Sequence, residues 1–144
     1  MATNEILKHL YHLLIAYGLA FPIGWDREKH SGSAGLRTFP LVAVASCGFV
    51  QAAVSVLGPN TPAQARIFEG LITGIGFIGG GAILKKADAV SGTATAASLW
   101  ATGAIGAAVG YSQYDIAIVL SALTFMTLKF LTPLKQENAE VSHE

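Results

Sequence analysis

Charge is the scarcest property of this sequence. Of 144 residues only 12% are Asp, Glu, Lys or Arg, against ~25% in ordinary soluble domains. The nine basic side chains are matched by nine acidic ones, so no overall field exists to draw in nucleic acid, which is not an expected partner. Cysteine is nearly absent as well. Cys47 alone excludes an internal disulfide and a cysteine-built metal cluster, and it leaves the redox compartment open. No serine, cysteine or threonine stands at motif spacing from a base, so a hydrolase has no support, no catalytic residue is assigned and no cofactor is indicated. The opening MATNEILKHLYHLL lacks both the basic start and the small-residue cleavage site of a secretory signal.

What the chain has instead is apolar surface: 52% of residues are hydrophobic and the mean hydropathy is +0.51. That is a membrane composition, with the lipid bilayer as first partner. Charges divide the sequence into five apolar blocks, at 6–25, 39–58, 66–84, 93–112 and 115–133, each close to the ~20 residues a helix needs to cross a bilayer. The expected fold is therefore all-α, a polytopic bundle of about five transmembrane helices over 1–133. A short polar tail over 134–144 is expected to be disordered. The link near Lys86 and Asp88 and the turn around Gly58 to Pro62 leave no room for a soluble domain between spans. Arg27, Lys29, Arg37, Lys85, Lys86, Lys129 and Lys135 would share one side, with only Lys8 and Arg66 opposite. Because cytoplasmic loops retain Lys and Arg, the N-terminus should face outward and the C-terminus the cytoplasm.

Residues 74–84, GIGFIGGGAIL, contain the G-x-G-x-x-G pattern of dinucleotide sites at Gly74, Gly76 and Gly79. The pattern has meaning only between a strand and a helix, with an acidic residue ~20 positions on. Here it lies inside an apolar block with no such residue, so packing is the better reading. Gly70 with Gly74 and Gly76 with Gly80 form G-x-x-x-G pairs. Ala94, Ser98, Thr102, Gly106 and Gly110 continue the theme at every fourth residue, as do Ala16, Ala20 and Gly24 in the first block. Such faces let helices approach closely, so a compact bundle is the first reading, and docking in a homo-oligomer or on a larger complex is the functional one. The sharper alternative is that Gly79, Gly80 and Gly81 break the helix and expose carbonyls to an ion.

The polar residues at membrane depth are the functional candidates. Asp26, Arg27 and Glu28 end the first span, and Arg37 and Thr38 open the second. Carboxylates near hydrocarbon are tolerable only when paired, so these residues are expected to form one charge network; a solvated loop anchored by Trp25 is the alternative. Glu69 lies three residues after Arg66, either as a local pair or as a carboxylate facing the bundle interior. Thr95 and Trp100 are further intramembrane candidates. Glu5, His9 and His12 share a helix face at a spacing that could hold a metal, but an interfacial polar face is the commoner origin, and no metal site is assigned.

GWDREKHSGSAGLRTFPLV, RIFEGLITGIGFIGGGAIL and VSGTATAASLWATGAIGAAVG, in that order, resemble the membrane domain of the MgtC/SapB family over about residues 10 to 131. Asp26 to Glu28 match its acidic-Arg-Glu motif, Gly35 to Thr38 its Gly-Leu-Arg-Thr motif, and Gly74 to Gly81 its glycine-rich third helix. Gly92, Thr95, Ala96, Ala97 and Trp100 match a Gly-x-Thr-Thr-Ala-Ala-x-x-Trp stretch in which Ala94 replaces the first threonine. The resemblance implies a multi-pass bacterial inner-membrane protein linked to growth in low magnesium and, in pathogens, to virulence. It also implies a regulator, restraining a complex such as ATP synthase, rather than a proven magnesium carrier. The name-giving branch has a cytoplasmic domain after the last helix, where this sequence has its short tail, which makes it look like a short, SapB-type member. Glutamine is expected in many relatives at the position of Glu69. Two functions follow: a non-catalytic membrane regulator or scaffold, or an oligomeric small-cation transporter or channel subunit in which Asp26 or Glu69 meets the ion.

Overall fold

The computed structural model describes residues 2–30, 34–59, 61–86 and 89–141, so Asp88, Asn60 and residues 142–144 of the expected link, turn and tail lie outside it. Five helices form: α1 Ala2–His30, α2 Thr38–Leu57, α3 Pro62–Gly81, α4 Thr93–Gly110 and α5 Tyr114–Val141. Between α3 and α4 lies a small antiparallel hairpin, β1 Leu84–Lys86 with β2 Ala89–Ser91, in which Lys85 pairs with Val90.

Contacts between helices fix their directions. His9 meets Gln51 and Gly24 meets Phe39, so α1 and α2 run antiparallel. Gly106 lies on Ala43 and Gly110 on Val50, so α2 and α4 run parallel; His12 meets Tyr114 and Leu19 meets Ser121, so α1 and α5 do too. The helices therefore alternate up and down. The segments carrying Arg27, Lys29, Arg37, Lys85, Lys86, Lys129 and Lys135 gather at one end of the bundle, as their spacing predicts.

The central element is α4, which packs against α1, α2, α3 and α5. Its small residues make that possible. A Cβ added at Gly106 would collide with the carbonyl of Ala43, one at Gly110 would lie 2.7 Å from Cβ of Val50, and one at Gly103 would strike the side chain of Ile75. Gly79 brings α3 against α4, where an added Cβ would stand 3.2 Å from the Ala96 carbonyl oxygen. Backbones meet here, giving the close van der Waals contact that holds helices together in lipid. Buried hydroxyls on these faces are satisfied locally: Ser98 donates to the Thr95 carbonyl (3.0 Å), Thr102 to that of Ser98 (2.8 Å) and Ser46 to that of Val42 (2.8 Å). Ser121 instead reaches across to the Leu19 carbonyl at 2.7 Å and ties α5 to α1.

Two expectations need adjustment. Among the described residues three helices are long and apolar enough to cross a bilayer, at Thr3–His30, Thr38–Leu57 and Tyr114–Leu131. In α3 and α4 the glycines and threonines that permit close approach also dilute the apolar content. The second adjustment concerns the tail: α5 runs past Pro133 to Val141. Leu134, Lys135, Gln136, Glu137, Ala139 and Glu140 are good helix formers, so the turn that ends the apolar block need not end the helix.

Candidate functional site at the corner of α1 and α2

The charged motif lies on the last two turns of α1, which continues to His30 instead of stopping at the apolar boundary. Asp26 and Arg27 are both only 4% exposed. Nη2 of Arg27 donates to Oδ2 of Asp26 at 2.6 Å and Nε donates to the same oxygen at 3.2 Å. Neighbours in a helix point about 100° apart and do not ordinarily face one another. Here both side chains bend together, a geometry favoured where water is excluded and an unpaired charge is costly. His30, one turn on, donates from Nδ1 to the Asp26 carbonyl oxygen at 2.8 Å, and the same nitrogen lies 3.5 Å from Oδ1 of Asp26.

Glu28 serves a different purpose. Exposed itself, it accepts the Leu36 N–H at Oε2 (2.9 Å), and its carboxylate occupies the space that a Cβ on Gly35 would fill. Gly35 in turn offers its carbonyl to the N–H groups of Thr38 (3.0 Å) and Phe39 (3.1 Å), which satisfies orphan donors of the first turn of α2. Gly24 lets this corner press down on α1, with 3.2 Å between a built Cβ and Cβ of Phe39. Glu28 and the Gly-Leu-Arg-Thr segment thus form a latch that sets the angle between two helices. Lys29 is peripheral, its Nζ 5.0 Å from the ring centroid of the half-exposed Trp25.

Sequence reasoning placed Asp26, Arg27, Glu28, Arg37 and Thr38 in one network, and the structure divides them. Asp26 and Arg27 pair in the interior, while Glu28 and Thr38 hold the corner through backbone groups. Arg37 points away, exposed, into an apolar groove between α2 and α3. The remaining candidates are dispersed. Thr95 is buried on α4, and Trp100, half-exposed, lines a 170 Å³ recess with Phe68 and Gly103. Glu69 is exposed on α3 and, among the described residues, forms no ion pair with Arg66. Of the glycines, Gly79, Gly106 and Gly110 meet other helices, whereas a Cβ at Gly70, Gly74, Gly76, Gly80 or Gly81 would meet nothing within 4 Å in the single chain. The helix α3 ends at Gly81, within the glycine triplet, and the carbonyls of Gly79 and Gly80 accept the N–H groups of Ala82 (3.0 Å) and Ile83 (3.1 Å).

A second polar cluster, at the opposite end, was visible only in part from spacing. His12 is buried at 5% exposure, and its Nδ1 donates to the Lys8 carbonyl at 2.7 Å. That leaves Nε2 to accept from the Tyr114 hydroxyl at 2.9 Å, with the Ser112 hydroxyl at 3.2 Å. His9 bonds Oε1 of Gln51 at 3.2 Å. The histidines that share a face with Glu5 are thus engaged in joining α1 to α2 and to the α4–α5 turn, where Ser112 adopts a left-handed φ of 60°. Nothing in the spacing of His9 and His12 could have named partners 42 residues away for His9 and 100 and 102 residues away for His12.

The MgtC family profile matches residues 13–137 of this chain. The chain belongs to the MgtC family. It is 34% identical over 130 residues to the protein SrpB of Synechococcus elongatus, covering 82% of this chain and 71% of that one. It is 35% identical over 133 residues to YhiD of Escherichia coli K12, named as a candidate magnesium transporter, over 88% of this chain and 60% of YhiD. With the protein MgtC of Brucella abortus it shares 36% over 121 residues, 84% of this chain and 50% of MgtC. The chain therefore spans between about half and 71% of these relatives. No solved structure matches it significantly. Family and apolar helices together make this a membrane protein, and magnesium appears in the name of one relative, YhiD. Asp26 to Thr38 and the whole of α4 fall inside the matched region.

Proposed function

We propose that this MgtC-family protein is a non-catalytic regulator or scaffold of the bacterial inner membrane, active under magnesium limitation, with its basic end in the cytoplasm. It acts by packing against itself or a larger membrane complex such as ATP synthase, and the Asp26–Arg27 corner is its functional centre. The supporting observation is the state of the buried polar groups. Asp26 and Arg27 are paired, and the hydroxyls of Ser46, Ser98, Thr102 and Ser121 are bound to helix carbonyls. Along α4 the backbones touch, so a single chain offers an ion no wetted path among its described residues.

One observation favours transport. Glu69 is exposed on α3, about 10 Å along the helix from Pro62, a depth at which a carboxylate is costly unless it is paired or faces water. An oligomer that buried it could place a cation there. Magnesium entry into liposomes carrying the purified protein and an internal indicator separates the readings. The regulator gives flux equal to that of protein-free liposomes, whereas flux abolished by Glu69→Gln would install the transporter. Reporter fusions at the C-terminus check the orientation: a fusion active only outside the cytoplasm would reverse it.

A further inference from the structure

The groove that receives Arg37 has a volume of about 730 Å³ and lies between α2 and α3. On α2 its wall runs from Arg37 through Leu41 and Ala45 to Phe49, twelve residues or about 18 Å of helix. The α3 wall runs the same distance from Arg66 to Ile78, and its floor is bare backbone at Gly70 and Gly74, where an added Cβ would meet nothing within 4 Å. The length is close to one leaflet of hydrocarbon, ~15 Å. Within the groove the hydroxyl of Ser46 is already bound to the Val42 carbonyl, so the wall is apolar. The charged residues lining it are Arg37 at one end and Arg66 at the other, and neither has a carboxylate partner among the described residues.

We propose that this groove holds one acyl chain of an anionic phospholipid, with the lipid phosphate on Arg37. An apolar channel open to the membrane is filled either by a lipid chain or by a helix, and the charges favour lipid. Arg37 stands at the positive end of α2, and the β1–β2 hairpin brings Lys85 and Lys86 to the same end of the bundle. Basic pockets between transmembrane helices on the positively charged side are the usual seat of anionic headgroups, and a guanidinium binds phosphate oxygens with paired, charge-assisted bonds. Arg66 lines the other end of the groove, beyond the chain terminus. A two-fold pairing of this face with a second copy would set one hollow against another and fill neither. Gly70 and Gly74 thus serve as the floor of a lipid slot, and the absence of side chains there is what gives the slot its depth.

Native mass spectrometry of the full chain, purified in detergent and offered phosphatidylglycerol or phosphatidylcholine with identical acyl chains, tests this. The wild type should retain one phosphatidylglycerol in preference to phosphatidylcholine. Arg37→Gln should reduce that preference about tenfold, the equivalent of one charge-assisted contact, while Arg66→Gln leaves it in place. Gly74→Phe, whose Cβ meets open space and whose ring would fill the groove, should lower retention of both lipids. Equal retention of the two lipids by wild type, or unchanged retention in Gly74→Phe, would overturn the assignment. A lipid-free dimer that Gly74→Phe abolishes would assign the groove to a second copy instead, and would overturn it equally.

Discussion

Asp26 and Arg27 show how adjacent residues of opposite charge can be buried together without either being neutralised by water. The pair is 96% hidden on both sides, and removing one partner takes from the other its buried counter-charge. Losses of about 3–5 kcal/mol are typical for breaking a buried pair in this way. Asp26→Asn should therefore lower the thermal stability of the purified protein substantially, and Asp26→Asn combined with Arg27→Gln should recover part of the loss. Lys29→Ala, which removes an exposed contact to Trp25, should change stability by no more than about 1 kcal/mol. Scanning fluorimetry in detergent reads all three. A double variant destabilised by the full sum of the two single losses would mean that the two residues act separately.

The elements were largely legible because hydrocarbon leaves a coarse mark on sequence. The blocks at 39–58 and 93–112 became helices at Thr38–Leu57 and Thr93–Gly110. Where reading and structure part, the cause is identifiable. Charges mark the edge of the bilayer and not the end of a helix, so α1 runs through Asp26 and Arg27 to His30, and α5 runs past Pro133 to Val141. The β1–β2 hairpin left no signal in a link so short. Small-residue spacing announced close packing but not its partners. Gly106 and Gly110 meet α2 and Gly79 meets α4, while Gly76 and Gly80, equally well spaced, face outward. Gly106→Ala should therefore disturb folding, since the new methyl would enter the Ala43 carbonyl, whereas Gly76→Ala should leave the monomer intact. Limited proteolysis of both variants distinguishes them. Should Gly76→Leu nonetheless weaken crosslinking between chains, that would identify this outer face as an interface between copies, because within one chain the leucine has room.

At the scale of the whole molecule the two ends of the bundle are unlike. One end is knitted by hydrogen bonds from His9, His12 and Tyr114, which fasten helix to helix. The other holds the ion pair, the Glu28 latch and most of the basic residues, at the corner where α1, α2 and the groove meet. The charged corner was legible from the Asp-Arg-Glu and Gly-Leu-Arg-Thr spacing; its division into a buried pair, a latch and an outward arginine was not, because that depends on which way each side chain leaves its helix. The central claim is that this corner is where the protein's activity resides. Growth of a deletion strain in low magnesium, complemented by each variant at matched membrane levels, tests it most directly. The account predicts that Asp26→Asn fails to restore growth while Lys29→Ala and Lys86→Ala restore it fully; full restoration by Asp26→Asn, in a strain whose growth depends on the protein, would contradict it.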